Sequence, residues 1–485
     1  KTIDAIGLDK IEKPLLAAAM TIKNGWLVRG NSLVTGNRQD VQWWSGNTKS
    51  IGIKNSKAHI TRFVPNREGK GLTDDLEVNT DLMKASSTKV LEHNYGLWYD
   101  RRRDDHERIR RMDGDVWAPF YELPFARSGQ DKAWDGLSKY DLTKYNLWYW
   151  DRLKQFADLA DQKGLVLVHQ NYFQHNIIEA GAHYADFPWR TANNINGTGF
   201  PEPVPYAGDK RIFMAEQFYN VDDPARRKLH KAYIYKCLEN FNDNNGVIQL
   251  ISAEFTGPLH FVQFWIDTIK EWKKETGKHP IIGLSVTKDV QDAILADPAR
   301  AEVVDLIDIR YWYYQEDGNA YAPKGGQNLA PRQHARITKS KKTSFDQVYR
   351  AVAAYKSKFP EKAVSYSANN YTSYGWAILM AGGSLSNISA SNKELLTLAA
   401  SMKPFLPNAN KQQLGLQSAG KAYLLYNASS DAFTLDLSKY KGSFSAQILD
   451  PKDNSLLKEM KINGGSELKI NKVGNGDEVI ILNKI

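Results

Sequence analysis

The chain has 485 residues, too many for one hydrophobic core, and its hydrophobic (42%) and charged (25%) fractions are those of a globular protein. Lysine and arginine exceed aspartate and glutamate by 64 − 55 = 9, a mildly basic balance that permits an acidic partner without requiring one. Cys237 is the single cysteine, which excludes a disulfide and a cysteine metal site, and no apolar run approaches the roughly 18 residues of a membrane span.

The first 57 residues predict a β-rich lead-in without a function of its own. The pieces GWLVRG, DVQWWSG and SIGIKN have the short apolar pattern of strands, and Gly-Asn pairs between them are typical of turns.

Residues 58–407 alternate between apolar runs and stretches with helical spacing. The predicted strands are HITRFVP (59–65), KVLEHNYG (89–96), LVLVHQN (165–171), VIQLISAEF (247–255), PIIGLSV (280–286), VDLIDIRYWYY (304–314), KAVSYSA (362–368) and SLSNIS (384–389). Each is followed by a predicted helix, such as the one that ends at Gly164. The pattern predicts an α/β fold, a (β/α)8 TIM barrel with insertions. A doubly wound open sheet is the alternative, although no glycine-rich phosphate loop follows its first strand.

Residues 408–485 no longer show the alternation of strands and helices. Short alternating strands such as KAYLLYN, AFTLDLS, FSAQILD and EVIILNK are separated by turns, which predicts a small antiparallel β-sandwich.

The carboxyl ends of the barrel strands are where reactive side chains are expected. Glu254 ends the fourth strand after an apolar run, and Phe255 follows it. A shielded carboxyl group at this rim can act as a general acid, so Glu254 is the main catalytic candidate. The alternative is a structural ion pair with a barrel lysine or arginine.

Asp308 lies in the sixth strand, two residues before Arg310, and side chains two apart on a strand face the same way. If Leu306, Asp308, Arg310 and Trp312 face the barrel axis, Asp308 and Arg310 meet there. Asp308 is then either half of a structural ion pair or a second catalytic carboxylate opposite Glu254.

Other polar and aromatic residues at the same mouth are candidates for substrate binding. They are His93, Asn94, Arg101, His169, Asn171, His175, Asp289, Arg310, Tyr311 and Trp312. Asp289 can instead be a helix cap. No HxH or HxxxH pair supports a metal site, and we expect no metal and no cofactor.

Residues 91–111 hold six arginines against five acidic residues. This near balance favours a self-paired ion network over a phosphate-binding surface, and no nucleic-acid-binding signature accompanies it.

The segments VIQLISAEF, ITRFVPNREGKGLTDDL, HNYGLWYDRRRDDHERIRR, HNIIEAGAHYADFPWRTANNIN and LIDIRYWYY resemble clan-A-like (β/α)8 glycoside hydrolases, specifically uncharacterised ones from Gram-negative polysaccharide degraders. The stretch LLYNASSDAFTLDLS is similar to the sandwich that often closes such barrels. The resemblance implies hydrolysis of a plant or microbial polysaccharide or oligosaccharide, with Glu254 as the acid/base.

The family places its nucleophile, a second Glu, at the end of strand 7, where this chain has KAVSYSANN and no carboxylate. Three readings remain: Asp308 or another rim carboxylate is the partner, the enzyme is inverting, or the barrel binds glycan without cleaving it. A polysaccharide lyase acting on a uronic acid is a further alternative.

The partner expected is a carbohydrate substrate, with no nucleic acid, no membrane span and a monomeric state. The chain begins at Lys1 without a methionine or a signal sequence, which fits a mature exported protein and a shortened chain alike, and one free cysteine fits cytoplasm and periplasm equally. From the resemblance we expect a periplasmic or secreted location.

Overall fold

The computed structural model describes residues 15–40, 76–93, 97–98, 121–133, 136–174, 177, 187–200, 202, 215–389 and 392–485. The predicted strand at 59–65 and the candidates Asn94, Arg101 and His175 lie outside these residues. Among the helices so described, none is both long enough and apolar enough to cross a membrane.

The chain alternates between strands and helices up to residue 405. The strands of this part are β1 (Met20–Lys23), β2 (Trp26–Arg29), β3 (Ser32–Leu33), β4 (Asn37–Asp40), β5 (Thr88–His93), β6 (Leu97–Trp98), β7 (Tyr121–Glu122), β8 (Phe125–Arg127), β9 (Tyr140–Tyr145), β10 (Val166–Phe173), β11 (Val247–Ala253), β12 (Ile281–Leu284), β13 (Leu306–Ile309), β14 (Tyr313–Tyr314), β15 (Ala320–Tyr321), β16 (Ala363–Tyr366) and β17 (Lys403–Phe405). The helices are α1 (Leu76–Ala85), α2 (Leu147–Lys163), α3 (Ala215–Tyr219), α4 (Pro224–Glu239), α5 (Leu259–Thr276), α6 (Lys288–Ala296), α7 (Pro298–Ala301), α8 (Pro331–Thr338), α9 (Phe345–Lys358), α10 (Gly375–Met380) and α11 (Lys393–Ala399).

Seven of these strands form one parallel sheet in the order β16-β13-β12-β11-β10-β5-β4. An eighth segment closes the sheet into a ring. Ser384 donates its backbone N–H to Val364 of β16 at 2.7 Å, and Leu385 donates to Val34, just before β4, at 3.1 Å. The predicted TIM barrel is confirmed, with its eighth strand in the predicted 384–389 segment.

The first strand of the barrel sheet is β4, which pairs in parallel with β5. It lies inside the segment predicted as an N-terminal lead-in, so part of that segment belongs to the barrel. The hairpin β1–β3 packs at the amino ends of the strands: Leu27 joins the apolar barrel interior, and its N–H donates to Ser384 Oγ at 2.9 Å.

Side chains on each barrel strand alternate between two environments. Val166 and Val168 of β10 belong to the barrel interior with Leu250 and Leu306, whereas Leu167 belongs to the core between sheet and helices. Because alternation has a period of two, each polar residue near a strand end is assigned to one of these environments by its position.

The last 73 residues, from β18 (Gln413–Ser418) onward, form the predicted β-sandwich. Its other strands are β19 (Ala422–Asn427), β20 (Phe433–Asp436), β21 (Ser443–Leu449), β22 (Leu456–Asn463), β23 (Glu467–Ile470) and β24 (Glu478–Lys484). A six-stranded antiparallel sheet, β17-β18-β19-β24-β21-β22, faces the two-stranded sheet β20-β23 across an apolar core that includes Leu425, Phe444 and Ile480.

The other face of the six-stranded sheet packs on the barrel. Tyr426 stacks on Phe345 of α9, with ring centroids 5.3 Å apart, and on Trp376 of α10, at 5.7 Å. Trp26 of β2 donates its Nε1–H to Met402 O at 3.0 Å. Barrel and sandwich therefore share a buried apolar layer.

Candidate active site

A polar layer lies at the carboxyl end of the barrel interior. Glu92 and Asp308 stand two residues beyond Val90 and Leu306, which belong to the apolar interior, so their side chains point to the same side. Both are buried, with exposed fractions of 4% and 1%.

A charge network fills this layer. Arg310 donates Nη1 and Nη2 to the two oxygens of Glu92, at 2.8 and 2.7 Å, and donates Nε to Asp308 Oδ2 at 2.8 Å. Arg38 of β4 donates Nη1 to Glu92 Oε1 at 3.1 Å. Asp308 and Arg310 thus meet at the axis, as the two-residue spacing predicts. Trp312 does not join them, because the strand ends at Ile309.

Asp308 is surrounded by hydrogen-bond donors. Besides Arg310, it accepts from Ser285 Oγ at 3.0 Å, Ser365 Oγ at 2.7 Å and Ser367 Oγ at 2.8 and 3.0 Å. Four donor groups match the roughly four lone-pair positions of a carboxylate.

Burial by itself would raise the pKa of Asp308, but the charges of Arg310 and Arg38 and the hydrogen bonds lower it on balance. The predicted role of Asp308 as nucleophile or base does not fit this environment. Hydrogen-bond donors already occupy the lone pairs of its carboxylate, so none is left to take up a proton or to attack a sugar carbon.

Glu254 directly follows β11 and is partly exposed. Its backbone has φ = 49°, a left-handed conformation that is uncommon outside glycine. Such strain persists only where surrounding contacts hold it, and it is concentrated at functional sites.

The turn after Glu254 is clamped by a reciprocal pair. Gln174, just after β10, donates Nε2 to Thr256 Oγ1 at 2.6 Å and accepts the Thr256 N–H on Oε1, also at 2.6 Å. Thr256 Oγ1 in turn donates to Leu329 O at 3.0 Å. These bonds fix the chain two residues past Glu254.

Tyr311 is the neighbour of both Glu254 and the charge network. Its hydroxyl lies 3.5 Å from Ser252 O, and the residue is 6% exposed. Burial raises the pKa of Tyr311, the Arg310 charge lowers it, and the negative charge of Glu254 raises it again, for a net increase. Tyr311 therefore stays neutral at ordinary pH.

Asp289 is exposed in the first turn of α6 and anchors a neighbouring loop. It accepts from Thr287 Oγ1 at 2.7 Å and from Gly325 N–H at 3.1 Å on both oxygens. The carboxylate is thus engaged in loop structure at the rim of the mouth.

The two described histidine candidates lie in the core between sheet and helices. The rings of His93 and His169 stack, with centroids 5.3 Å apart, and neither side chain is exposed. His169 Nδ1 is 2.9 Å from Gln249 Oε1, and His93 Nε2 is 3.4 Å from the Tyr149 hydroxyl of α2.

Asn171 and Trp312 are also core residues. Trp265 Nε1–H donates to Asn171 Oδ1 at 2.8 Å, and Trp312 Nε1–H donates to Gln291 Oε1 at 2.9 Å. The predicted contact of His93, His169, Asn171 and Trp312 with substrate does not fit these positions, because each faces a helix rather than the barrel mouth.

Residues 1–402 match the sequence profile of DUF6298, a domain of unknown function. The chain belongs to the DUF6298 family. No protein of curated function matches its sequence.

Two solved structures share the fold of this DUF6298 chain over almost its whole length. One is described as a glycoside hydrolase; it is 12% identical, with a TM-score of 0.51, and the alignment covers 97% of this chain and 99% of the other. The second is a family 5 glycoside hydrolase from Bacteroides vulgatus, also 12% identical with a TM-score of 0.51, covering 97% and 96%. The DUF6298 chain therefore has a glycoside-hydrolase-like fold.

Arg38 and Gln174 are among the residues of the DUF6298 site that were not candidates from the sequence. Arg38 was not predicted because the first barrel strand was expected at 59–65, and nothing in the local sequence GNRQD indicates a barrel strand. Gln174 follows the predicted strand 165–171, and the pairing with Thr256 depends on contact between strands. Within the described residues, no group of three or more histidines, cysteines or carboxylates could hold a metal ion.

Proposed function

We propose that this DUF6298 protein is a glycoside hydrolase in which Glu254 is the general acid. The observation that carries the proposal is the position of Glu254: at the carboxyl end of the fourth barrel strand, partly exposed, in a clamped left-handed turn. The glycoside-hydrolase-like fold supports the same reaction class.

In the proposed reaction, the protonated carboxyl group of Glu254 gives its proton to the glycosidic oxygen as the bond from that oxygen to the anomeric carbon breaks. Tyr311 supplies a neutral hydroxyl and an aromatic edge beside the sugar. A water molecule then forms a bond to the anomeric carbon, and the proton that this water loses restores the protonated carboxyl group of Glu254.

Three other carboxylates of the mouth are engaged in structure. Glu92 is held by Arg310 and Arg38, Asp308 by three serines and Arg310, and Asp289 by the loop at Gly325. We therefore assign Asp308 to positioning Arg310, and the proposal rests on Glu254 alone. The substrate we propose is a plant or microbial polysaccharide or oligosaccharide, cleaved in the periplasm or outside the cell.

The decisive experiment is Glu254→Gln, assayed on oligosaccharides and on aryl glycosides. We expect at least a roughly 100-fold loss of kcat on oligosaccharides, because the leaving oxygen is no longer protonated. With a dinitrophenyl glycoside, whose leaving group needs no proton, Glu254→Gln should slow the release of dinitrophenol much less. This contrast separates an acid catalyst from a residue that only supports the fold.

Glu271→Gln is the matched control, since Glu271 is an exposed residue of α5 that pairs with Lys231. It should leave turnover unchanged. Equal turnover by wild type and Glu254→Gln would refute the role of Glu254. Glycan binding by the wild type with no product after long incubation would indicate a non-catalytic binding protein, and an unsaturated ultraviolet-absorbing product would indicate a lyase.

A further inference from the structure

Two nitrogen atoms of Arg38 have no hydrogen-bond partner among the described residues. Its side chain is 4% exposed, and Nη1 donates to Glu92, yet Nε and Nη2 are buried and unpaired. An unpaired buried donor is unfavourable, the more so when it carries charge. Two N–H donors of this buried guanidinium therefore have no acceptor among the described residues.

The two unpaired donors form one recognition edge. In a planar guanidinium, the N–H of Nε and one N–H of Nη2 point in the same direction from neighbouring corners. This fork matches the two oxygens of a carboxylate and can bind both at once.

Arg310, the other described arginine of the charge network, differs from Arg38 in that all of its nitrogen atoms are engaged. The Arg310 guanidinium has Nη1 and Nη2 on Glu92 and Nε on Asp308, so each of its nitrogen atoms already donates. Glu92 accepts from both arginines and anchors Arg38 by the opposite side of its guanidinium. The Nε–Nη2 edge of Arg38 is thus fixed in place while remaining unpaired.

Arg38 belongs to the same mouth as Glu254. It lies on β4, three strands from β11 in the order β11-β10-β5-β4, and the two are connected through Glu92, Arg310 and Tyr311. Its guanidinium also lies 5.7 Å from the ring centroid of Tyr371, a residue beyond the end of β16.

We propose that the Nε–Nη2 edge of Arg38 binds the carboxylate of a uronic acid, so that the substrate of the barrel is an acidic glycan. The inference rests on the proposed function and adds the substrate class. A neutral sugar leaves the edge unpaired, which makes the site select for the acidic one.

The test measures binding of D-galacturonate and D-glucuronate, each against its methyl ester, which keeps the ring and removes the charge. Binding is followed by saturation-transfer NMR in the Glu254→Gln background, where no turnover interferes. Arg38→Lys is the key variant, because an ammonium keeps the charge beside Glu92 but has no planar fork. Arg350→Lys, on the exposed face of α9, is the control.

We expect one of the uronates to bind at least about tenfold more tightly than its ester, and Arg38→Lys to remove that preference while Arg350→Lys keeps it. Affinity for the ester should not change. Equal binding of acid and ester, or a preference that survives in Arg38→Lys, would overturn the inference. Tighter binding of galactose 6-sulfate than of either uronate would overturn the choice of carboxylate.

The two proposals fail separately. A uronate preference in a protein that cleaves nothing supports Arg38 and contradicts hydrolysis. Cleavage of neutral glycans by the wild type, lost in Glu254→Gln and accompanied by no uronate preference, supports hydrolysis and contradicts the role of Arg38.

Discussion

Single residues in this barrel take their roles from which side of the sheet they face. His169 and Gln170 are neighbours on β10, but only one of them can point toward the axis. His169 points to the helices, where it meets His93, Trp150 and Phe241. Moving a polar residue by one position along a strand therefore turns its side chain from the barrel mouth to the helices, and changes a possible substrate contact into a core residue.

The buried histidines predict acid sensitivity. Burial lowers the pKa of His169 to about 4 and that of His230 to about 3, and it lowers the pKa of His93, where the charge of His169 adds to the effect. Unfolding returns each to about 6.5, so the unfolded chain binds more protons between these values. The stabilisation is complete above about pH 6.5 and is lost as the pH falls toward 4, by about 1 kcal/mol per pH unit per histidine.

Urea unfolding at about pH 7 and about pH 5 checks this prediction. His169→Gln should be less stable than wild type at neutral pH, since its hydrogen bond to Gln249 is altered, but should lose less stability on acidification. His279→Gln, at an exposed position, is the control and should follow the wild type. An equal acid-induced loss in wild type and His169→Gln would contradict it.

At the scale of elements, helix ends are set by local chemistry that the sequence displays. Asn146 caps α2 through the N–H of Tyr149, and the helix ends at Gly164 with φ = 69°, as predicted. Gly277 ends α5 in the same way, with φ = 67°. Ser344 stands at the start of α9, but its side chain makes no capping hydrogen bond.

Asp223 offers a test of capping energy. Asp223 directly precedes α4, which begins at Pro224, and its carboxylate accepts the backbone N–H of Arg226 at 2.9 Å. Asp223→Ala should lower the free energy of unfolding by about 1 kcal/mol, because an N–H of the first turn loses its acceptor. Asp222→Ala, at the exposed neighbouring position, should change it far less. Equal effects of the two variants in denaturant titrations would argue against a capping role.

At the scale of the molecule, barrel and sandwich are joined by an apolar layer. On β19, Tyr423 and Leu425 face the sandwich core, whereas Leu424 and Tyr426 face the barrel, so both sides of the strand are buried. Such a shared layer should couple the unfolding of the two parts.

Leu416 of β18 tests this coupling, since it is fully buried in the shared layer. Leu416→Ala should cost about 2–5 kcal/mol, and far-ultraviolet circular dichroism and tryptophan fluorescence should report one shared, shifted transition. Leu457→Ala, 42% exposed on β22, is the matched control and should change stability by less than about 0.5 kcal/mol. Two separated transitions in Leu416→Ala would show that barrel and sandwich unfold independently.

The sequence by itself determined the second to eighth barrel strands and the helices between them, but not the first barrel strand. Buried parallel strands appear as short apolar runs, and helices as apolar residues at a period near 3.6. Both patterns are local, so they can be recognised in the sequence alone. The same reading placed Glu254 at the end of the fourth strand and Asp308 beside Arg310, because strand ends and two-residue spacing are also local properties.

Only the tertiary structure decided which of these residues belong together. That Asp308 is saturated by three serines, that His93 and His169 face helices, and that Arg38 keeps an unpaired edge each depends on neighbours distant in sequence. Closure of the barrel brings β4 beside β5 and segment 384–386, and no local pattern encodes that contact. Pairing between strands is a long-range property, and the contacts among the polar side chains of the barrel mouth depend on it because those side chains come from different strands.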